Sequence, residues 1–148
     1  MAVARASRSV HHGAMHRATL LILFSLSLLL AAGKDLAGRY TGEWKSNGAA
    51  GSGTIHISLQ PQSDAAWKCD VGFNFQGDDV KTTIRACKLD ESKLDASYDF
   101  ELQGTALRSK ITGHWNGKAF EGTYETSTVE GGDAIDDGSW NAAPAKGQ

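Results

Sequence analysis

The chain has 148 residues, with 15 Lys and Arg against 17 Asp and Glu and a formal charge of −2 at pH 7. Every acidic residue lies beyond residue 33, and setting aside Arg5, Arg8 and Arg17 leaves 12 basic residues there, a balance near −5. No basic stripe interrupts this acidic surface, which argues against nucleic acid or an anionic membrane as partner.

The first element is the apolar run Ala18–Ala32, "ATLLILFSLSLLLAA". It is shorter than the roughly 20 residues that span a bilayer as a helix. Arginines and histidines precede it, and the small residues Ala31 and Gly33 follow. Basic, apolar and then small is the layout of a secretory signal peptide. Residues 1–33 therefore read as a leader, and 34–148 as one β-barrel domain. The rival reading is an uncleaved anchor. "MHRATLL" from Met15 makes a more usual signal start than Met1. Lys34 stands where a lipoprotein would carry cysteine. The expected product is secreted or periplasmic, with no stable membrane anchoring after cleavage.

Beyond the leader, period-two alternation recurs between Gly, Asn and Asp breaks, the pattern of antiparallel strands. Eight strands are expected. The first, 39–46, places Tyr40, Gly42 and Trp44 inward, and the Gly-rich loop Asn47–Gly53 after it is a candidate lid. The second, 54–60, turns Ile55, Ile57 and Leu59 inward. The third, 67–76, does the same with Trp67, Cys69, Val71, Phe73 and Phe75.

The fourth strand, 79–89, holds a conflict of register. Cys69 and Cys87 are the only cysteines. Outside the cytoplasm, and outside a C-x-x-C, such a pair reads as a structural disulfide. A two-residue turn at Gly77-Asp78 sets Phe75 beside Val80 and Phe73 beside Thr82, an apolar pairing. It also points Cys87 outward, because a one-residue slip flips every side chain. One extra residue at Arg85-Ala86, a β-bulge, satisfies both demands. Cys87 and Leu89 then return to the core, with Cys69 opposite Cys87.

The fifth strand, 94–103, directs Leu94, Ala96, Tyr98, Phe100 and Leu102 inward. The sixth, 107–115, brings Leu107, Ile111 and Trp115. Asn116-Gly117 marks a hairpin turn. The seventh, 119–127, contributes Phe120 and Tyr124. Residues 128–138 read as the longest loop, and the eighth strand, 138–143, supplies Trp140. Short connections and single-faced strands predict an all-β, antiparallel up-and-down barrel, which removes exposed sheet edges.

"LAGRYTGEW", Leu36 to Trp44, resembles the first strand of calycin-type barrels, the lipocalin and avidin group, which opens on a Gly-x-Trp motif. Tyr40 stands where that Trp would be, and Gly42-Glu43-Trp44 offers a second match. "TGHWNGKAFEGTYET", Thr112 to Thr126, is similar to avidin-type hairpins. The resemblance implies a small lipocalin-like barrel and leaves its ligand unassigned. No basic residue on the last strand packs against the first-strand Trp, as lipocalins usually have.

Chemistry is sparsely represented. His56 and His114 fall on outward faces, and zinc needs three or four convergent ligands. No serine sits in a G-x-S-x-G turn. Asp99 and Glu101 share a face that looks to water. Glu130, Asp133, Asp136 and Asp137 read as an acidic solvated loop, or as a weak calcium site. The chain is therefore expected to be no enzyme and to hold no cofactor or metal.

The aromatics carry the functional reading. Eleven rings face inward, and an eight-stranded barrel is just wide enough for side chains to fill it. Either the rings fill the interior, or some line a pocket at one mouth. Tyr40, Trp44, Phe73, Phe75, Tyr98, Phe100, Trp115 and Tyr124 are the candidate ligand-binding residues, with the tyrosines as hydroxyl handles. The leading expectation is an exported binding protein for a small apolar or aromatic ligand. The alternative is a protein-interaction module with an extracellular protein partner, such as an inhibitor of a hydrolase.

Overall fold

The computed structural model describes residues 36–63 and 65–147; the expected leader lies outside the described residues. Nine strands follow in order: β1 (Gly38–Ser46), β2 (Ser52–Pro61), β3 (Trp67–Phe75), β4 (Asp78–Val80), β5 (Thr82–Asp90), β6 (Lys93–Leu102), β7 (Thr105–Trp115), β8 (Phe120–Thr128) and β9 (Ala134–Pro144). They form one antiparallel sheet ordered β4-β3-β2-β1-β9-β8-β7-β6-β5. Because β9 pairs with β1, the sheet curls into a nearly closed up-and-down barrel. Among the described residues no helix is long and apolar enough to cross a membrane.

The alternation in the sequence produces this wall directly. Along β6, Leu94, Ala96, Tyr98 and Phe100 are buried, while Asp95, Ser97 and Asp99 between them reach the outside. Successive side chains of a strand must point to opposite faces, so the apolar set fills the barrel. Tight turns with positive φ join neighbours: Gln76-Gly77, Gln103-Gly104 and, at Glu91, the turn into β6. At the β7–β8 connection Asn116 Oδ1 accepts hydrogen bonds from the Lys118 and Ala119 amides, both 2.9 Å.

Three details differ from the sequence expectation. The expected fourth strand is two, broken at Lys81. Its turn lies one residue earlier, at Gln76-Gly77, where φ values of 53° and 90° suit a type I′ turn. Phe73 therefore pairs with Val80 and Phe75 with Asp78. That ladder has only three pairs, whereas β5 finds eight with β6. β5 takes its ladder from β6 on one edge and leaves the other edge unpaired, and the chain crosses from one edge of the sheet to the other at Lys81. Finally, residues 134–137 belong to β9, so the last loop shrinks to 129–133.

The bulge lies where the cysteine parity requires it. Register shifts between Ile84 and Ala86, leaving Arg85 unpaired. Arg85 and Ala86 are both exposed, and Cys87 and Leu89 turn back to the core. The partner strand is β6 and not β3, however. Cys69 and Cys87 form a disulfide across the seam between β3 and β5, with Cα atoms 5.7 Å apart. The seam has no ladder; the Thr82 hydroxyl crosses it to donate to the Val71 carbonyl.

One end of the barrel is solid. Phe120 is fully buried, edge-on to Tyr40 at 5.1 Å between ring centres and tilted against Trp115 at 5.3 Å. The Tyr40 hydroxyl donates to the Leu36 carbonyl at 2.7 Å, seating the chain entrance under the plug.

Candidate functional site

The opposite end is hollow. A cavity of about 160 Å³ reaches the mouth formed by the β1–β2, β3–β4, β6–β7 and β8–β9 connections. Its wall includes Trp44 from β1, Phe73 and Phe75 from β3, Tyr98 and Phe100 from β6, and Tyr124 from β8. These are six of the eight candidate residues. Tyr40 and Trp115 stand instead in the plug, near the start of β1 and the end of β7, too deep to reach the mouth.

The wall is held in place by its own polar atoms. Trp44 Nε1 donates to the Asn74 carbonyl at 3.0 Å, and Trp140 Nε1 to the Thr123 carbonyl at 3.1 Å. Two glycines make room for rings. A Cβ at Gly113 would run into the Trp140 indole, and one at Gly138 into the Tyr124 ring and the Lys45 carbonyl. Large rings thus lie flat across glycines of neighbouring strands. Phe73 meets Phe100 edge-on at 5.0 Å and Trp44 at 6.3 Å, the arrangement that ring quadrupoles favour.

Alternation alone could have revealed part of the remaining lining. Ser109 and Thr126 occupy inward positions of β7 and β8, and their hydroxyls meet at 2.5 Å, buried. Asp136 is harder to see, because it lies in the stretch that reads as loop. An irregular register near Ile135 places Asp136 opposite Thr126. Its carboxylate accepts the Ser46 hydroxyl at 2.5 Å and the Tyr124 hydroxyl at 2.7 Å. Burial, then the hydrogen bond to this carboxylate, pushes the Tyr124 phenol well above its ordinary range. Burial pushes Tyr98 up to about 12. Both phenols therefore stay protonated donors at neutral pH.

The Gly-rich loop 47–51 borders the cavity through Ala50. It is tied to β9: the Asn47 amide donates to the Asp137 carbonyl at 2.8 Å, and Asn47 Nδ2 to the Asp137 carboxylate at 2.6 Å. Asp136 and Asp137 thus serve the mouth and its loop, while Glu130 and Asp133 are exposed beyond β8. This replaces the acidic solvated loop of the sequence reading. Among the described residues no three His, Cys, Asp or Glu side chains gather as a metal site would need.

The remaining titratable candidates face outward. His56 and His114 are exposed, His56 Nδ1 lying 3.0 Å from the Thr41 hydroxyl. Asp99 accepts from Arg108 at 2.6 and 2.9 Å and from Arg85 at 2.6 Å. Hydrogen bonding to Arg108 foremost holds its carboxyl at about 2. Such a carboxylate stays ionised at neutral pH, whereas a general acid needs its pKa raised.

Comparison of the chain with protein-family models, with curated proteins and with solved structures finds no match.

Proposed function

We propose that the protein is a non-enzymatic binding protein that takes a small apolar or aromatic ligand into the open mouth of its barrel. The observation that carries this reading is the contrast between the two ends. Phe120, Tyr40 and Trp115 fill one, while the rings at the other leave about 160 Å³ empty. A fold that only needed a core would close both ends, since interiors are normally packed to crystal density. A cavity of about 150 Å³ lined by apolar side chains accepts one benzene-sized molecule. The expected ligand is accordingly one ring, or the end of a longer apolar molecule.

The disulfide supports an oxidising, extracellular-type environment, since such bridges persist outside the cytoplasm. Export through the leader, and kinship with calycin-type barrels, belong to the same proposal. The hollow mouth favours a small ligand over a loop-mediated protein partner.

The test is native mass spectrometry of protein purified from its own host, combined with titration by small aromatic compounds. Trp44 and Trp140 line the cavity, so occupancy should alter tryptophan emission. A retained small-molecule adduct, or saturable emission change, supports the reading. A co-purifying protein with no response to any apolar probe would replace it with the interaction-module alternative.

A further inference from the structure

We propose that the mouth cavity selects a small organic cation, an ammonium group carried on an apolar body, with Asp136 as its counter-ion; this rests on reading the cavity as a ligand site. Asp136 lines a cavity whose other walls are mainly rings and aliphatic side chains. Among the described residues its two oxygens accept from neutral hydroxyls, Ser46 and Tyr124. Every ion pair among the described residues lies elsewhere, at Asp99, Asp90 and Asp95. The carboxylate therefore borders apolar space, half-buried, with two hydroxyl donors and no cationic partner among the described residues.

The oxygens still have room for that cation. An ionised carboxylate offers about four lone-pair sites, and only two are taken by the hydroxyls. An ammonium has donors to give and needs no acceptor beyond these. Among the described residues no Lys or Arg lines the cavity, so an anion would meet Asp136 there as a like charge.

The rings point the same way. Trp44, Phe73, Phe75, Tyr98, Phe100 and Tyr124 surround the space. Aromatic faces are negative and attract a cation within about 6 Å of the ring centre. The site thus pairs one fixed negative charge with several faces of the same sign, and leaves space for about one ring of apolar body.

Fastening the loop does not require a charge at this position. Asp137 already binds Asn47 through both its backbone and its side chain. The two hydroxyls take separate oxygens of Asp136, Ser46 at Oδ1 and Tyr124 at Oδ2. No ion pair among the described residues uses the charge at this position, and the cation would.

The experiment uses the oxidised protein and three probes of similar shape at pH 7: benzylammonium, benzyl alcohol and toluene. Affinities are measured by calorimetry, and the two indole N–H resonances of Trp44 and Trp140 report whether the cavity is the site. Benzylammonium should bind at least about tenfold more tightly than either neutral probe, the scale of one charge-assisted hydrogen bond. Asp136→Asn should abolish that preference. If neutral probes bind as tightly as benzylammonium, or if Asp136→Asn keeps the preference, the cation inference is overturned while the cavity reading stands. If none of the three perturbs the indole resonances, the cavity reading fails and this inference fails with it. The wild-type comparison is decisive even if the variant does not fold.

Discussion

Reducing the Cys69–Cys87 disulfide should cost about 3 kcal/mol of stability. The bridge closes a loop with a sequence separation of 18, and the chain-entropy model assigns about 3 kcal/mol to a loop of that length. Against the roughly 5–15 kcal/mol that holds a small domain folded, this is a large share. It corresponds to a fall of the thermal midpoint on the order of 10–20 °C. The location sharpens the expectation. Among the described residues the bridge spans the seam that has no ladder, where a Thr82–Val71 hydrogen bond also crosses. Urea unfolding followed by tryptophan emission, with and without a thiol reductant, gives the difference while keeping both sulfurs in place. A Cys69→Ala, Cys87→Ala double variant should lose about 1 kcal/mol more, because Cys69 is buried and its sulfur leaves a void. Hydrogen exchange should quicken first in β3 and β5, which flank the seam. The reasoning is refuted if oxidised and reduced protein unfold within about 0.5 kcal/mol of each other, or if exchange in β5 is unchanged.

Phe120→Ala should destabilise the fold by about 3–5 kcal/mol, since it empties the centre of the solid end, and chemical denaturation measures it. Gly122→Ala should cost several kcal/mol, because its Cβ would land on the Thr112 carbonyl across the β7–β8 ladder, whereas Gly77→Ala meets no atom and is limited by its positive φ. The folded carboxyl of Asp99 sits below its unfolded value, so its contribution is present above about pH 4 and is lost as pH falls toward 2. With Arg85 and Arg108 substantially exposed, that contribution should stay below about 1 kcal/mol, as a comparison of wild type with Asp99→Asn across pH 2–7 would register. All three tyrosines are raised above the ordinary phenol range by burial. Their contribution is intact below about pH 10 and declines as pH climbs through the raised values; ultraviolet titration should show phenolate appearing together with unfolding, not as a separate step near pH 10.

Much of the barrel was legible because a strand announces its faces. In Leu94–Phe100 the alternation alone says which residues enter the core, and the structure buries those residues. The bulge near Arg85 was legible too, since two cysteines and three apolar residues impose parities that only an extra residue can reconcile. Six of the eight candidate site residues meet in one cavity for the same reason: inward rings must end up inside the barrel.

What alternation cannot state is which strand lies beside which, or how far along the barrel a side chain sits. The residues "FNFQGDDV" suit either of two turns, and only the folded sheet shows that β5 pairs with β6 and leaves its edge toward β3 without a ladder. Depth separates Tyr40 and Trp115, in the plug, from Trp44 and Tyr98, at the cavity, although all four read alike in the sequence. Asp136 shows the limit most clearly. Residues 134–137 have little apolar periodicity, and only pairing with β8 makes them a strand and turns that carboxylate toward the mouth. The inward faces, the disulfide and the barrel class were thus set by side-chain pattern, a local property. The seam, the closed and open ends, and the charge at the cavity wall came from contacts between strands distant in the chain, which only closure of the barrel decides.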